Sequence, residues 1–129
     1  MRETIQNQMV EIADRFCRVY GVTLQDLFQR NKHKGGKKKK VINGANVSTI
    51  RMALGYYLSN NFPTTLTEVA LLIGYRDHST VSYNNKKIYF YLKNQDRYFM
   101  YYYNILADIG KEYLVRNYNI INHNQFHVN

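Results

Sequence analysis

The sequence predicts an all-α fold: a small helical bundle with a helix-turn-helix at its centre and a tyrosine-rich helix at its end. Three observations carry that expectation. Apolar residues recur at steps of three and four along most of the 129 residues, capping residues stand where those runs begin, and a single proline interrupts them. A hydrophobic share of 45% over this length suits one ordinary core.

In residues 2–20, Ile5, Met9, Ile12, Phe16 and Val19 share one helical face with charges between them, and Gly21 ends the run. The only cysteine, Cys17, lies in that apolar pattern, has no partner for an internal disulfide, and reads as a buried thiol of a reducing compartment. Thr23 is placed to cap a short helix carrying Leu24, Leu27 and Phe28. The next run, RNKHKGGKKKK from Arg30 to Lys40, offers nothing apolar to bury and reads as a solvated basic loop reaching to about residue 44. Its glycines and lysines do not spell a nucleotide-binding P-loop.

Val47, Ile50, Leu54 and Leu58 then mark a helix that Asn46 or Ser48 could cap and that Asn60, Asn61 and Pro63 break. Thr65 followed by Glu68 forms a capping box for a helix bearing Leu66, Val69, Ala70 and Ile73, which Gly74 stops. After the turn GYRD, Asp77 is placed to cap a helix that buries Val81, Ile88 and Leu92 and exposes Ser79, Ser82, Tyr83, Lys86 and Lys87. Asp96 could cap the last helix, which runs to about Arg116 and carries Tyr98, Phe99, Tyr101, Tyr102, Tyr103, Ile105, Leu106, Ile109, Tyr113 and Leu114. Such an aromatic face needs burial, against the first helix or against a second copy or other protein partner. The organisation expected is residues 1–95 as the helix-turn-helix domain and 96–129 as the aromatic helix with a polar tail.

Charge is distributed unevenly. Of the net +9, residues 27–95 hold +10, from twelve Lys/Arg against Glu68 and Asp77, while 1–26 carry −1 and 96–129 carry zero. A basic loop between helices and a positive outer helix face suit the phosphates of nucleic acid. Catalysis has no such support. His33, His78, His123 and His127 are scattered with no metal-ligand spacing, and the side chains of neighbours Asp77 and His78 diverge by about 100 degrees on a helix. No catalytic residue, cofactor, metal or small-molecule substrate is therefore expected. No charged-then-apolar leader is visible, nor an apolar run near the roughly 18 residues of a membrane span, so the expected location is the cytoplasm or nucleoid, or a virion if the chain is phage-encoded.

The stretch LTEVALLIGYRDHSTVSYNNKKI, Leu66 to Ile88, closely resembles the origin-binding domain at the carboxyl end of the bacterial replication initiator DnaA. In that family the recognition helix opens with RDH, then Ser or Thr, Thr and Val, and ends in a lysine-isoleucine pair. Arg76, Asp77, His78, Ser79, Thr80, Val81, Lys87 and Ile88 match as they stand. The likeness extends more loosely from the first helix, through YGVTLQDLF and the basic loop, to about Lys93. It implies a Trp-repressor-like bundle around the helix-turn-helix. This chain departs from the pattern in three places: Ser48 and Thr49 replace an arginine-glutamine pair, Tyr75 replaces the second turn glycine, and the loop Asn60 to Thr65 is longer. The first departure leaves one contact either absent or supplied by Arg51. The family's ATPase domain has no counterpart in these residues, so the resemblance implies the reader without the motor.

The function expected is sequence-specific reading of double-stranded DNA in replication or transcription control. A recognition helix reaches deepest into the major groove at its N-terminus, where Asp77, His78, Ser79 and Thr80 lie. Asp77 can accept from a cytosine amino group, His78 can donate to guanine or a phosphate, and the Thr80 methyl can touch a thymine methyl. Arg76, Lys86, Lys87 and Arg51, with Lys37, Lys38, Lys39 and Lys40 of the loop, are the candidates for the DNA backbone. The alternative is an interaction or structural protein that uses such a bundle as scaffold and the tyrosine-rich helix as docking surface.

Overall fold

The computed structural model describes residues 2–28, 41–42 and 45–121, and is all-helical apart from one minute ribbon. The elements are α1 (Arg2–Val19), a 3-10 turn (Leu24–Phe28), strands β1 (Val41–Ile42) and β2 (Ala45–Asn46), α2 (Val47–Asn61), α3 (Leu66–Ile73), α4 (His78–Lys93) and α5 (Arg97–Ile121). The expected all-α bundle is thus what the chain forms.

Local chemistry sets most boundaries. Gly21, at φ 73°, turns the chain out of α1, and the Val22 N–H closes the turn on the Cys17 carbonyl at 3.1 Å. Thr23 and Asp26 cap the 3-10 turn reciprocally: the Asp26 N–H donates to the Thr23 hydroxyl and the Thr23 N–H to the Asp26 carboxylate. Of the two candidates for the start of α2, Asn46 is the cap, accepting from the Thr49 N–H at 3.1 Å. The Thr65–Glu68 capping box forms in full. Asp96 opens α5 by accepting from the N–H groups of Tyr98 and Phe99.

The core draws on every helix. Met9, Ile12 and Phe16 of α1 meet Ile50, Leu54 and Leu58 of α2, Val69 and Ile73 of α3, and Val81 of α4. Each such buried side chain contributes roughly 1.5–3 kcal/mol of transfer free energy. Helix α5 joins the same core through Tyr102, Leu106 and Tyr113. Its Tyr102 ring lies edge-on to Phe16 and its Tyr103 ring packs against Tyr56 and Tyr57, so much of the aromatic face is spent on α1 and α2. Tyr98 and Tyr101 remain exposed, at 48% and 58%.

Several details differ from the sequence reading: α5 runs on to Ile121, beyond the expected end near Arg116, and Leu92 of α4 is only half-buried. Val19 is exposed, because the chain reverses at Gly21 and Val22 takes the buried place instead. The β1–β2 ribbon, pairing Val41 with Asn46 and Ile42 with Ala45, was not anticipated. Its signal was the Asn43-Gly44 dipeptide, which favours tight hairpins, following two β-branched residues. Cys17 is buried, and burial pushes its thiol up to about 12. Among the described residues no helix is long and apolar enough to cross a membrane.

Candidate nucleic-acid interface

Helices α3 and α4 are joined by Gly74, Tyr75, Arg76 and Asp77, and the turn has little freedom. Gly74 adopts φ 89° with its N–H on the Ala70 carbonyl, and the Tyr75 N–H closes on that same carbonyl at 2.9 Å. Any Cβ at Gly74 would come within 2.5 Å of the Leu27 carbonyl oxygen. The turn therefore touches the end of the 3-10 turn, and only glycine satisfies both the dihedral and the approach.

Arg51 holds this junction together. It was expected at a DNA phosphate, and that expectation is corrected: the residue is 6% exposed and faces inward. Its Nε donates to the Ile73 carbonyl at 3.1 Å and its Nη2 to the Leu27 carbonyl. Those carbonyls end α3 and the 3-10 turn, and a cation is favourable at such C-terminal ends. The guanidinium carbon also lies 5.3 Å from the centroid of the Tyr75 ring. Burial raises the Tyr75 phenol above its usual range, and its hydroxyl accepts from Asn84 Nδ2 of α4 at 3.0 Å. A second tie runs from Asn85 Nδ2 to the Ser59 hydroxyl of α2 at 2.8 Å. Val81 and Ile88 are buried beneath α4, and Tyr91 stacks on Phe99 of α5 with ring centroids 4.9 Å apart, so the helix is held from the side turned to the bundle. Tyr75, Asn84 and Asn85 escaped the sequence reading. For Tyr75 the available signal was a large aromatic where the resembled family places a small turn residue.

On the outside, Arg76, Asp77, His78 and Ser79 are exposed together at the start of α4, and Thr80 is half-buried beside them. Asp77 is the helix cap, its Oδ1 accepting from the Ser79 N–H at 3.0 Å. That bond, with one from the Ser79 hydroxyl, holds the carboxyl below its ordinary value. The same oxygen lies 3.2 Å from His78 Nδ1, so these two exposed side chains meet and do not diverge as expected from helical spacing, because Asp77 is the extended cap and not a residue of the helix. When Nδ1 carries the proton of a neutral ring, Nε2 is an acceptor; in the imidazolium it is a donor.

Further along the outer face, Lys86 is exposed and the Lys87 ammonium sits 5.4 Å from the centroid of the Tyr83 ring. No acidic residue occurs between His78 and Lys93. Lys37, Lys38, Lys39 and Lys40 lie outside the described residues. An open groove of about 530 Å³ lined by Val19, Tyr101, Asn104, Ile105, Asp108 and Ile109 contains none of the expected reading residues. No group of three or more His, Cys, Asp or Glu able to hold a metal occurs among the described residues. Compared with family models, curated proteins and solved structures, the chain matches none.

Proposed function

We propose that this chain is a sequence-specific double-stranded DNA-binding protein that lays α4 in the major groove and acts in replication or transcription control. One observation carries the reading: an exposed helix start bearing Arg76, Asp77, His78 and Ser79 with Thr80 half-buried beside them, followed by an outer face with lysines and no acid, on a helix anchored from behind. Hydrogen-bonding groups of both kinds at a helix N-terminus suit base edges, and cations about two turns later suit the flanking phosphates. The resemblance of Leu66 to Ile88 to the initiator's origin-binding domain points the same way.

A salt titration of duplex binding tests the reading. Neutralised phosphates release counterions, so log affinity should fall steeply against log salt. Replacing Lys37 to Lys40 with glutamine removes four cations and should flatten that slope by roughly three to four units if each meets a phosphate. A slope near zero for the wild type would sink DNA binding.

The exposed rings of Tyr98 and Tyr101 favour a second reading, a scaffold or assembly protein that docks through α5, as a homodimer or on another protein. That reading predicts oligomer or partner binding with no salt-dependent affinity for duplex.

A further inference from the structure

Tyr83 is one of three exposed aromatics of α4, with Tyr89 and Phe90, and of the three it is the one that shares a helix face with the residues at the helix start. It is 64% exposed, although a ring of this size gains most by burial. It stands four residues after Ser79 and three after Thr80, and side chains at those spacings share a helix face. The Lys87 ammonium, one turn on, covers the ring at 5.4 Å from its centroid. A cation on one face restrains a side chain that already has few rotatable bonds, so the ring is presented in a limited set of orientations. Charge complementarity explains Lys86 and Lys87 on this face but not an uncharged aromatic between them and the helix start. On the major-groove edge of DNA the apolar feature available to such a ring is the C5-methyl group of thymine.

We infer that Tyr83 extends the base-reading surface by one helical turn and takes a thymine methyl group, while Lys87, held on its ring, grips the adjoining phosphate. The inference rests on the DNA-reading function proposed above. It makes Tyr83 a specificity-determining residue, and Lys87 a backbone contact whose aim depends on it.

The test is a uracil scan. The preferred duplex is first selected from random oligonucleotides with the wild-type protein, and each thymine in it is then replaced singly by deoxyuridine, which removes only the methyl group. Competition titrations at fixed salt compare wild type, Tyr83→Phe, Tyr83→Ala, Thr80→Ala and Lys87→Ala. For the wild type, deoxyuridine should weaken binding about fourfold, the expected effect of one methyl group returned to water, at the thymine taken by Tyr83, which is distinct from any thymine whose sensitivity disappears in Thr80→Ala. That sensitivity should persist in Tyr83→Phe, Thr80→Ala and Lys87→Ala and vanish in Tyr83→Ala. Lys87→Ala should weaken all duplexes alike. Tyr83→Ala removes an exposed side chain, and an unchanged circular dichroism spectrum would verify its fold.

If Tyr83→Ala and wild type give the same scan at every thymine, the inference is overturned while DNA reading stands. If Tyr83→Phe instead weakens all duplexes equally, the hydroxyl serves a phosphate and the methyl contact is refuted. If the wild type selects no preferred sequence, the parent reading and this inference fall together.

Discussion

Thr80 and Lys87 lie on the same helix but should answer mutation differently. On the preferred site His78→Ala and Thr80→Ala should each cost about 1–3 kcal/mol and much less on random duplex, so the ratio of the two affinities falls. Lys87→Ala should weaken both alike, because a phosphate contact carries no base information. Competition titrations of the three variants read the difference; an unchanged ratio for His78→Ala and Thr80→Ala would exclude direct readout by α4. Arg51 gives the opposite forecast. Arg51→Gln leaves two helix-end carbonyls short of a donor and should lower stability by roughly 1–3 kcal/mol in urea unfolding, with the salt slope of DNA binding unchanged. A slope reduced by about one would instead place it on phosphate. The sequence could not expose this role. A long cation inside an apolar pattern looks like a surface residue until the carbonyls of Leu27 and Ile73, distant in sequence, converge on it.

At the scale of elements, the caps were the most legible feature, because Thr23, Thr65, Asp77 and Asp96 act on backbone groups two or three residues away. Where the outcome depended on the reversal after α1, or on an Asn-Gly pair beside a basic run, periodicity alone misplaced Val19 and passed over the β1–β2 ribbon. The α4–α5 connection holds another case. Gln95 adopts φ 58° while the Asp96 N–H reaches back to the Tyr91 carbonyl at 2.9 Å, a helix stop that ordinarily uses glycine. Gln95→Gly should therefore raise stability by about 1 kcal/mol, the strain of a left-handed side-chain-bearing residue outweighing the added chain freedom. A lower urea midpoint would mean that the Gln95 side chain supplies something its backbone geometry does not reveal.

For the molecule as a whole, sequence periodicity recognised that α5 needed burial but left open where. The answer lies partly at Gly110, where any Cβ would overlap the Tyr57 hydroxyl, so the ring of Tyr57 from α2 reaches in to the α5 backbone at this point. Burial of this kind also fixes the alkaline limit of the fold. Cys17 is pushed from 9.0 to about 12, and Tyr57 and Tyr102 from 10.0 to about 12, all led by burial. The native state thus keeps protons that the unfolded chain releases first. Stability should be fully present below about pH 9 and drain away as pH rises towards 12. Urea midpoints near pH 7 and pH 10.5 should show the decline, and Tyr57→Phe should make it shallower; a flat profile would mean these groups are not protected in solution. A different consequence follows from how α4 is mounted. The residues that anchor it, Val81, Asn84, Asn85 and Ile88, are separate from most of those offered outward, Arg76, His78, Ser79, Tyr83 and Lys86; only Asp77, which also caps the helix, and the half-buried Thr80 belong to both roles. On the proposed DNA-reading function, substitutions confined to the outward residues should change the selected site while leaving the urea midpoint where it is, so that set is where a library for retargeting belongs.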